Sequence, residues 1–297
     1  MDIKKQIKKT AKALIYKLRG SNDKAKIVKF KKDIWQTEKL SKAFIKGSDA
    51  EQTSLAAVMD REVNAFFLGN CLVTDKVLDI GCGHGIVSEY LASNGINTTA
   101  IDISEALLDE FKKRIEGKAL PINIIRGDAY NIPCDNNVFD IVVARMFLPH
   151  FPDWPLVLKE MARVTRLGGK ILVHFVSKEN SDLAVQIGRE ECKFESSPVT
   201  NNPWEFYAET DSVELRKVSK NLGLKVTKRT PVSFFSSNRA IGRQLGQELY
   251  DQYQKELSEK LKDENVMEFI VWFDRLVTYN CEPAFSYFNI ITFEKEN

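Results

Sequence analysis

The residues of this chain best suited to hold a ligand lie in one short stretch and four later positions. In VLDIGCGHG, Asp79 stands directly before Gly81, Gly83 and Gly85, three of the 15 glycines of the chain. Crowding glycine this way has an entropic cost, which is useful where the backbone must turn left-handed or let a ligand come very close. Asp102 ends the run INTTAID, where a carboxylate can accept both hydroxyls of a ribose. Asp128 follows in RGDA, and Arg145 and His150 follow in ARMFLPHF. Of the three histidines, His150 is the best placed to take a proton near neutral pH. His84, inside the glycine turn, reads as a solvent-facing loop residue, and His174, in KILVHF, as a satisfied core histidine.

The spacing narrows the ligand. A dinucleotide turn is G-x-G-x-x-G. Here the third glycine comes one residue early, and Ile86 holds the required place. No G-x-x-x-x-G-K-[ST] phosphate loop is present. Asp102 lies 21 residues after Gly81, a separation that suits either kind of nucleotide ligand.

The elements that must position these residues alternate in type. KVLDI reads as a first strand and GIVSEYLASNG as the helix after it, closed by Gly95. INTTAIDIS is a second strand and EALLDEFKKRIEG a second helix, capped by Ser104. INIIRGDA and FDIVVARMFL are the third and fourth strands, WPLVLKEMARVTRLGG is a helix ended by Gly168 and Gly169, and KILVHFV is the fifth strand. Such alternation predicts an α/β fold, a doubly wound, mostly parallel sheet with helices on both faces. Ligands of such sheets bind beyond the carboxyl ends of the strands, where the strand order switches.

LDIGCGHG resembles the D-x-G-x-G-x-G signature of class I S-adenosylmethionine-dependent methyltransferases, of the kind that act in ubiquinone and menaquinone biosynthesis. IDIS is similar to their ribose-binding strand end. GDAYNIPCDNNVFDIVVARMFLPHFPDW is similar to their G-D-A-x-x-L-P-F-x-D-x-x-F-D stretch and the L-x-H after it, and LKEMARVTRLGGKILV to their L-x-E-x-x-R-V-L-K-P-G-G turn. Leu167 replaces the usual proline, and Pro149 stands where many relatives have a first histidine. The resemblance covers about residues 75–175. It implies a seven-stranded, Rossmann-like sheet and S-adenosylmethionine as cofactor. Asp79 and the turn through Gly81, Cys82, Gly83 and Gly85 would hold its amino-acid end, with Cys82 itself a small buried filler. Asp102 would bind the ribose and Ile103 pack on the adenine. Asp128 would take the adenine amino group, Ala129 would add a backbone contact, and Arg145 would sit beside the methionine part. His150 would be the catalytic base, or would only order its loop or bind substrate. A nicotinamide oxidoreductase is disfavoured by the glycine spacing. A catalytically silent sensor or scaffold that only binds S-adenosylmethionine is the alternative reading.

Composition bounds the rest. The chain has 297 residues, 43% hydrophobic and 28% charged, enough for a large core. Five scattered cysteines without a C-x-x-C pair argue against a disulfide framework and a Cys/His zinc site, so no metal is expected and a reducing cytoplasm fits best. Residues 1–32 carry twelve lysines and arginines against Asp2 and Asp23, net +10, which leaves the rest of a chain of net +2 at −8. Ile3, Ile7, Ala11, Leu14 and Leu18 form a helical stripe within that arm, and its lysines exclude a secretory signal. The arm reads either as a terminal helix packed on its own domain or as an anionic membrane contact at the inner membrane face. Nucleic acid is disfavoured, because no aromatic–basic interleaving follows.

The expected organisation is a basic helical arm with further helices over 1–65, an α/β domain over 66–237 and 284–297, and an inserted helical lobe over 238–283. Leu245, Leu249, Tyr253, Leu257 and Leu261 step by four through that lobe, which would cover the acceptor site or make a homodimer contact. Trp204, Phe206 and Tyr207 read as core or acceptor-pocket residues. The acceptor expected from the whole is a small molecule or glycoconjugate.

Overall fold

The structure is a computed structural model, which describes residues 24–38, 41, 45, 55–177, 212–233, 247–283 and 286–296. The apolar stripe over residues 3–18 and the aromatic group at Trp204, Phe206 and Tyr207 lie outside the described residues.

The sheet is built from short, strongly apolar runs. Strands β1 (Lys76–Ile80), β2 (Asn97–Asp102), β3 (Ile122–Arg126), β4 (Phe139–Arg145), β5 (Thr165–Val176), β6 (Leu224–Val232) and β7 (Phe288–Lys295) lie in the order β3-β2-β1-β4-β5-β7-β6. All neighbouring pairs are parallel except those made by β7, which runs antiparallel to both β5 and β6. The order reverses between β1 and β4, so the ligand-binding crevice falls at their carboxyl ends.

Each face of the sheet buries a separate apolar layer. On one face Leu78, Ile80, Val142, Ala144, Ile171 and Val173 meet Val157, Leu158 and Met161 of helix α5 (Trp154–Val164) and Leu215 of α6 (Ser212–Asn221). On the other, Val77, Ile141, Val143, Leu172, Val232 and Ile290 meet Val63, Phe66 and Phe67 of α2 (Leu55–Leu68) and Val87 and Leu91 of α3 (Ile86–Ser93). The alternation of these residues along each strand is the period-two pattern of a sheet covered on both sides. Helix α4 (Glu105–Arg114) buries Leu107, Leu108 and Phe111, and its cap Ser104 accepts from Leu107 N.

Two helices, α7 (Gln247–Lys260) and α8 (Glu264–Thr278), lie between β6 and β7. Of the expected stripe, Leu261 is buried with Val58 and Met267, Tyr253 and Leu257 pack against them, and Leu249 is exposed. Helix α1 (Lys24–Trp35) precedes α2.

One expected boundary is corrected. The helix expected through Gly169 ends at Val164, and Thr165 is already extended (φ −75°, ψ 134°). The carbonyls of Arg163 and Val164 accept from Asn137 N and Val138 N, and Thr165 pairs with Phe139. Gly169 serves a bend at the start of β5, because a Cβ there would stand 2.8 Å from the Asp140 carbonyl oxygen. Gly169 thus allows a close approach to Asp140, Gly168 takes a left-handed φ of 69°, and neither stops the helix.

Candidate cofactor and acceptor site

The turn after β1 owes its shape to three left-handed glycines, with φ of 72°, 56° and 88° at Gly81, Gly83 and Gly85. Gly81 N and Cys82 N both donate to the carbonyl of Ile101 on β2, and Gly85 N donates to Cys82 O. Side chains close two of the glycine positions. A Cβ on Gly81 would lie 2.1 Å from the Phe147 ring, and one on Gly85 2.1 Å from the Phe111 ring. Only glycine satisfies both the backbone angle and the contact. His84 is buried within this turn, 5% exposed, which corrects the solvent-facing expectation: the sharp bend folds its ring inward.

Three carboxylates stand along the carboxyl edge. Asp79, 2% exposed at the end of β1, accepts a 2.6 Å hydrogen bond from Ser88 Oγ. Burial pushes its acidity up to about 6, the Ser88 bond pulls it back, and nearby Asp102 pushes it up further. Asp102 ends β2. Its Oδ2 accepts from Gly83 N at 2.9 Å and its Oδ1 from Ser104 N at 2.8 Å. Burial raises its pKa, and the backbone donors oppose that. Each Asp102 oxygen retains acceptor capacity after one backbone bond. Asp128, after β3, accepts from Tyr130 N through Oδ1 at 3.0 Å and from Lys32 Nζ through Oδ2 at 2.5 Å. Ile103 is half-buried beside Asp102, and its carbonyl accepts from Arg126. Ala129 is buried among the core residues under Asp128.

The other candidates sit beyond β4. Arg145 ends that strand and pairs with Asp60 of α2. Its Nε is buried with no hydrogen-bond partner among the described residues. His150 closes a single 3-10 turn, Leu148–His150, and its ring meets Trp35 of α1 edge-on at 5.7 Å. Burial first, and then the charge of Lys31, lower its pKa to about 3, so it stays neutral at working pH. The structure therefore brings Asp79, the glycine turn, Asp102, Ile103, Asp128 and Ala129 along one edge, with Arg145 and His150 at the mouth of the neighbouring strand.

His174 is a second correction. It is fully buried on β5, in register with Arg145, but neither ring nitrogen has a hydrogen-bond partner among the described residues. Its expected satisfaction fails although Arg145, in register with it, leaves its own Nε without a partner among the described residues.

The donor set decides what fits. Three carboxylates along one edge suit a ligand with hydroxyls and positive charge. Lys32 and Arg145 are both committed to carboxylates, so neither stands ready for a pyrophosphate. The backbone approach at the glycines, the aligned Asp102 and the buried Asp79 together fit a nucleoside carrying an ammonium-bearing arm.

Four contributors gave no readable signal in the sequence. Lys32, Trp35 and Ser41 reach this edge from the N-terminal region, and Asp60 reaches Arg145 from 85 positions away. Their local sequence is ordinary amphipathic helix.

Comparison with known proteins agrees with this geometry. The family model described as a methyltransferase domain matches residues 78–173. A ubiquinone biosynthesis O-methyltransferase from Coxiella burnetii is 36% identical over 102 residues, 34% of this chain and 44% of that protein. A demethylmenaquinone methyltransferase from Mycolicibacterium gilvum is 34% identical over 116 residues, 39% of this chain and 48% of that protein. The chain spans less than half the length of these curated relatives. Among solved structures, an S-adenosylmethionine-dependent methyltransferase from Thermotoga maritima shares the fold at a TM-score of 0.53, with 13% identity over 85% of this chain and 97% of that one.

Proposed function

We propose that this chain, whose residues 78–173 are a class I S-adenosylmethionine-dependent methyltransferase domain, carries a methyl group from that donor to a small quinone-type acceptor. The observation that carries the reading is Asp102, held by Gly83 N and Ser104 N beside a turn of three left-handed glycines. The quinone-type acceptor is supported by the names of the two curated relatives.

S-adenosylmethionine, when bound, supplies a methyl group on a positively charged sulfur, already primed for transfer. The residues of the chain then have the task of alignment, which is where most of the rate gain in such a reaction lies. Asp102 accepts the ribose hydroxyls and Asp128 the adenine amino group, with Ile103 against the ring and Ala129 beside it. Ionised Asp79 faces the ammonium of the donor, and the backbone of Gly81, Cys82, Gly83 and Gly85 shapes the seat. Arg145, fixed by Asp60, lines the boundary between donor and acceptor. His150 stays neutral, which suits it to accept a hydrogen bond from an acceptor hydroxyl and orient it.

Titration calorimetry with S-adenosylhomocysteine tests the reading. Replacing Asp102 by Ala removes two charge-assisted bonds to the ligand and should weaken binding by about a hundredfold. Incubation of the full chain with S-adenosylmethionine and a short-chain demethylated quinol should give a product heavier by one CH₂. Absence of affinity for either sulfur nucleoside ends the proposal. Binding without methylation of any acceptor points to a sensor or scaffold instead.

The +10 charge of residues 1–32 supports a second surface, an anionic membrane. Among the described residues no helix is long and apolar enough to cross one. Since Lys32 is already engaged at Asp128, the relevant deletion is residues 1–23. Full-length protein should sediment with phosphatidylglycerol vesicles at low salt, and the shortened chain should not. Equal sedimentation of the two removes the idea.

A further inference from the structure

Lys32, Trp35, Gln36 and Ser41 reach three separate loops of the carboxyl edge. Lys32 Nζ sits 2.5 Å from Asp128 Oδ2, after β3, and 4.7 Å from the centre of the Tyr130 ring. Gln36 Oε1 accepts from Arg126 Nη2 at 3.0 Å. Ser41 Oγ lies 3.0 Å from Ser104 Oγ, after β2, and both serines are fully buried. Trp35 stands edge-on to His150, after β4. These residues of α1 and just beyond it therefore lie against the same loops that the donor would touch.

The Asp128 carboxylate has two oxygens with unequal duties. Oδ1 accepts from Tyr130 N, and Oδ2, the oxygen with no backbone partner, holds the Lys32 ammonium. An ammonium and an aromatic amine are both N–H donors, and although a carboxylate oxygen can accept twice, an ammonium seated between Oδ2 and the Tyr130 ring takes the place the amine would occupy. The tyrosine ring adds a cation–π contact that holds the ammonium in place.

We infer that α1 is a gate on the donor cleft and that Lys32 is its bolt, a built-in stand-in for the adenine amino group. Donor binding and release of Lys32 from Asp128 are then one exchange. The inference rests on the assignment of the edge as an adenosyl site. It gives Lys32 a competitive role, which sets donor affinity and entry rate.

The lysine and aspartate side chains are about one third exposed, so the pair is a modest one. Lys32→Met in the full chain should bind S-adenosylhomocysteine about two- to fivefold more tightly. Lys32→Arg should behave as wild type. Stopped-flow entry of S-adenosylhomocysteine into wild type should quicken as salt rises, because screening loosens the bolt, and the Met variant should lose that dependence. S-inosylhomocysteine, which presents a carbonyl where adenine has its amino group, should show no gain from Lys32→Met. Unchanged or weaker binding in the Met variant overturns the inference, and so does an equal gain for the two nucleosides. If neither wild type nor variant binds any adenosyl ligand, the adenosyl-site reading fails and the gate with it. If wild type binds and the variants do not differ, only the gate fails.

Discussion

The sheet has two halves that hold their polar groups in opposite ways. Around β1, β2 and β3, each carboxylate finds a partner nearby in sequence. Asp79 takes Ser88 nine residues on, Asp102 takes Gly83 and Ser104, and Asp128 takes Tyr130. Around β4 to β6, two of the partners are remote. Arg145 meets Asp60, and Glu62 accepts from Ser233 N and Oγ, 171 positions away. Asp274 of α8 is fully buried and accepts from Thr278 on its own helix, while facing Glu62 across the α2–α8 contact. The first half is a seat made mainly by local turns, with Lys32 reaching Asp128 from 96 positions away. The second is a polar interior assembled only when α2, α8 and the ends of β4 and β6 come together. On the proposed reading, the first would serve a donor site shared by many chemistries and the second an acceptor site particular to one chain.

The two halves differ most sharply in their buried acids, and Glu62 offers the larger test. Burial, then the charge of Asp274, raises its pKa to about 8 against an ordinary 4.5, while Ser233 and Arg275 oppose the shift. The folded chain thus holds a proton on Glu62 that the unfolded chain gives up above its ordinary pKa. Its contribution to stability is full below about pH 4.5 and is lost progressively as pH rises to about 8. Glu62→Gln keeps an oxygen for the Ser233 donors and removes the titration. Urea unfolding of the variant should lack that part of the decline, and at pH 8 the variant should exceed the natural chain by on the order of 3 kcal/mol. Equal pH slopes in the two chains would mean that Glu62 is ionised and well paired, and the contrast between the halves would vanish.

The same contrast explains what could be read in advance. The strands and the glycine turn are written in short windows: an apolar run, then left-handed glycines, two of them closed to any side chain by Phe147 and Phe111. Asp102 was legible because its function depends on ending a strand. The helix expected to reach Gly169 stopped five residues early because the carbonyls at its end turn to Asn137 and Val138, which no local window contains. His84 looked exposed because a glycine turn usually is; the bend folds its ring inward. His174 sits in an apolar strand that gives no warning of its unmatched nitrogens. Lys32 was one of twelve similar charges in the arm, and only the placement of α1 separates it from the others. Asp60 and Glu62 lie two residues apart in one amphipathic helix, yet serve different partners on different strands. Long-range pairing, not residue type, set the limit.

Asp79 supplies the smaller test, on the local half. Its pKa of about 6 against an ordinary 3.8 reflects burial, restrained by the Ser88 hydroxyl. A positively charged amino group binds the ionised carboxylate, so affinity for S-adenosylhomocysteine should rise as pH climbs to about 6 and then level off. Calorimetry at pH 5 should find it about tenfold weaker than at pH 7. Ser88→Ala withdraws the one side-chain bond that favours the charged form, so the inflection should move above pH 6 and the loss at pH 6.5 should become measurable. The shift isolates a neighbour nine residues away as the group that tunes this acid. A variant with an unmoved inflection would show that Asp79 is set by the packed fold around it, as Glu62 is, and the local half would then owe its electrostatics to the same long-range assembly as its counterpart.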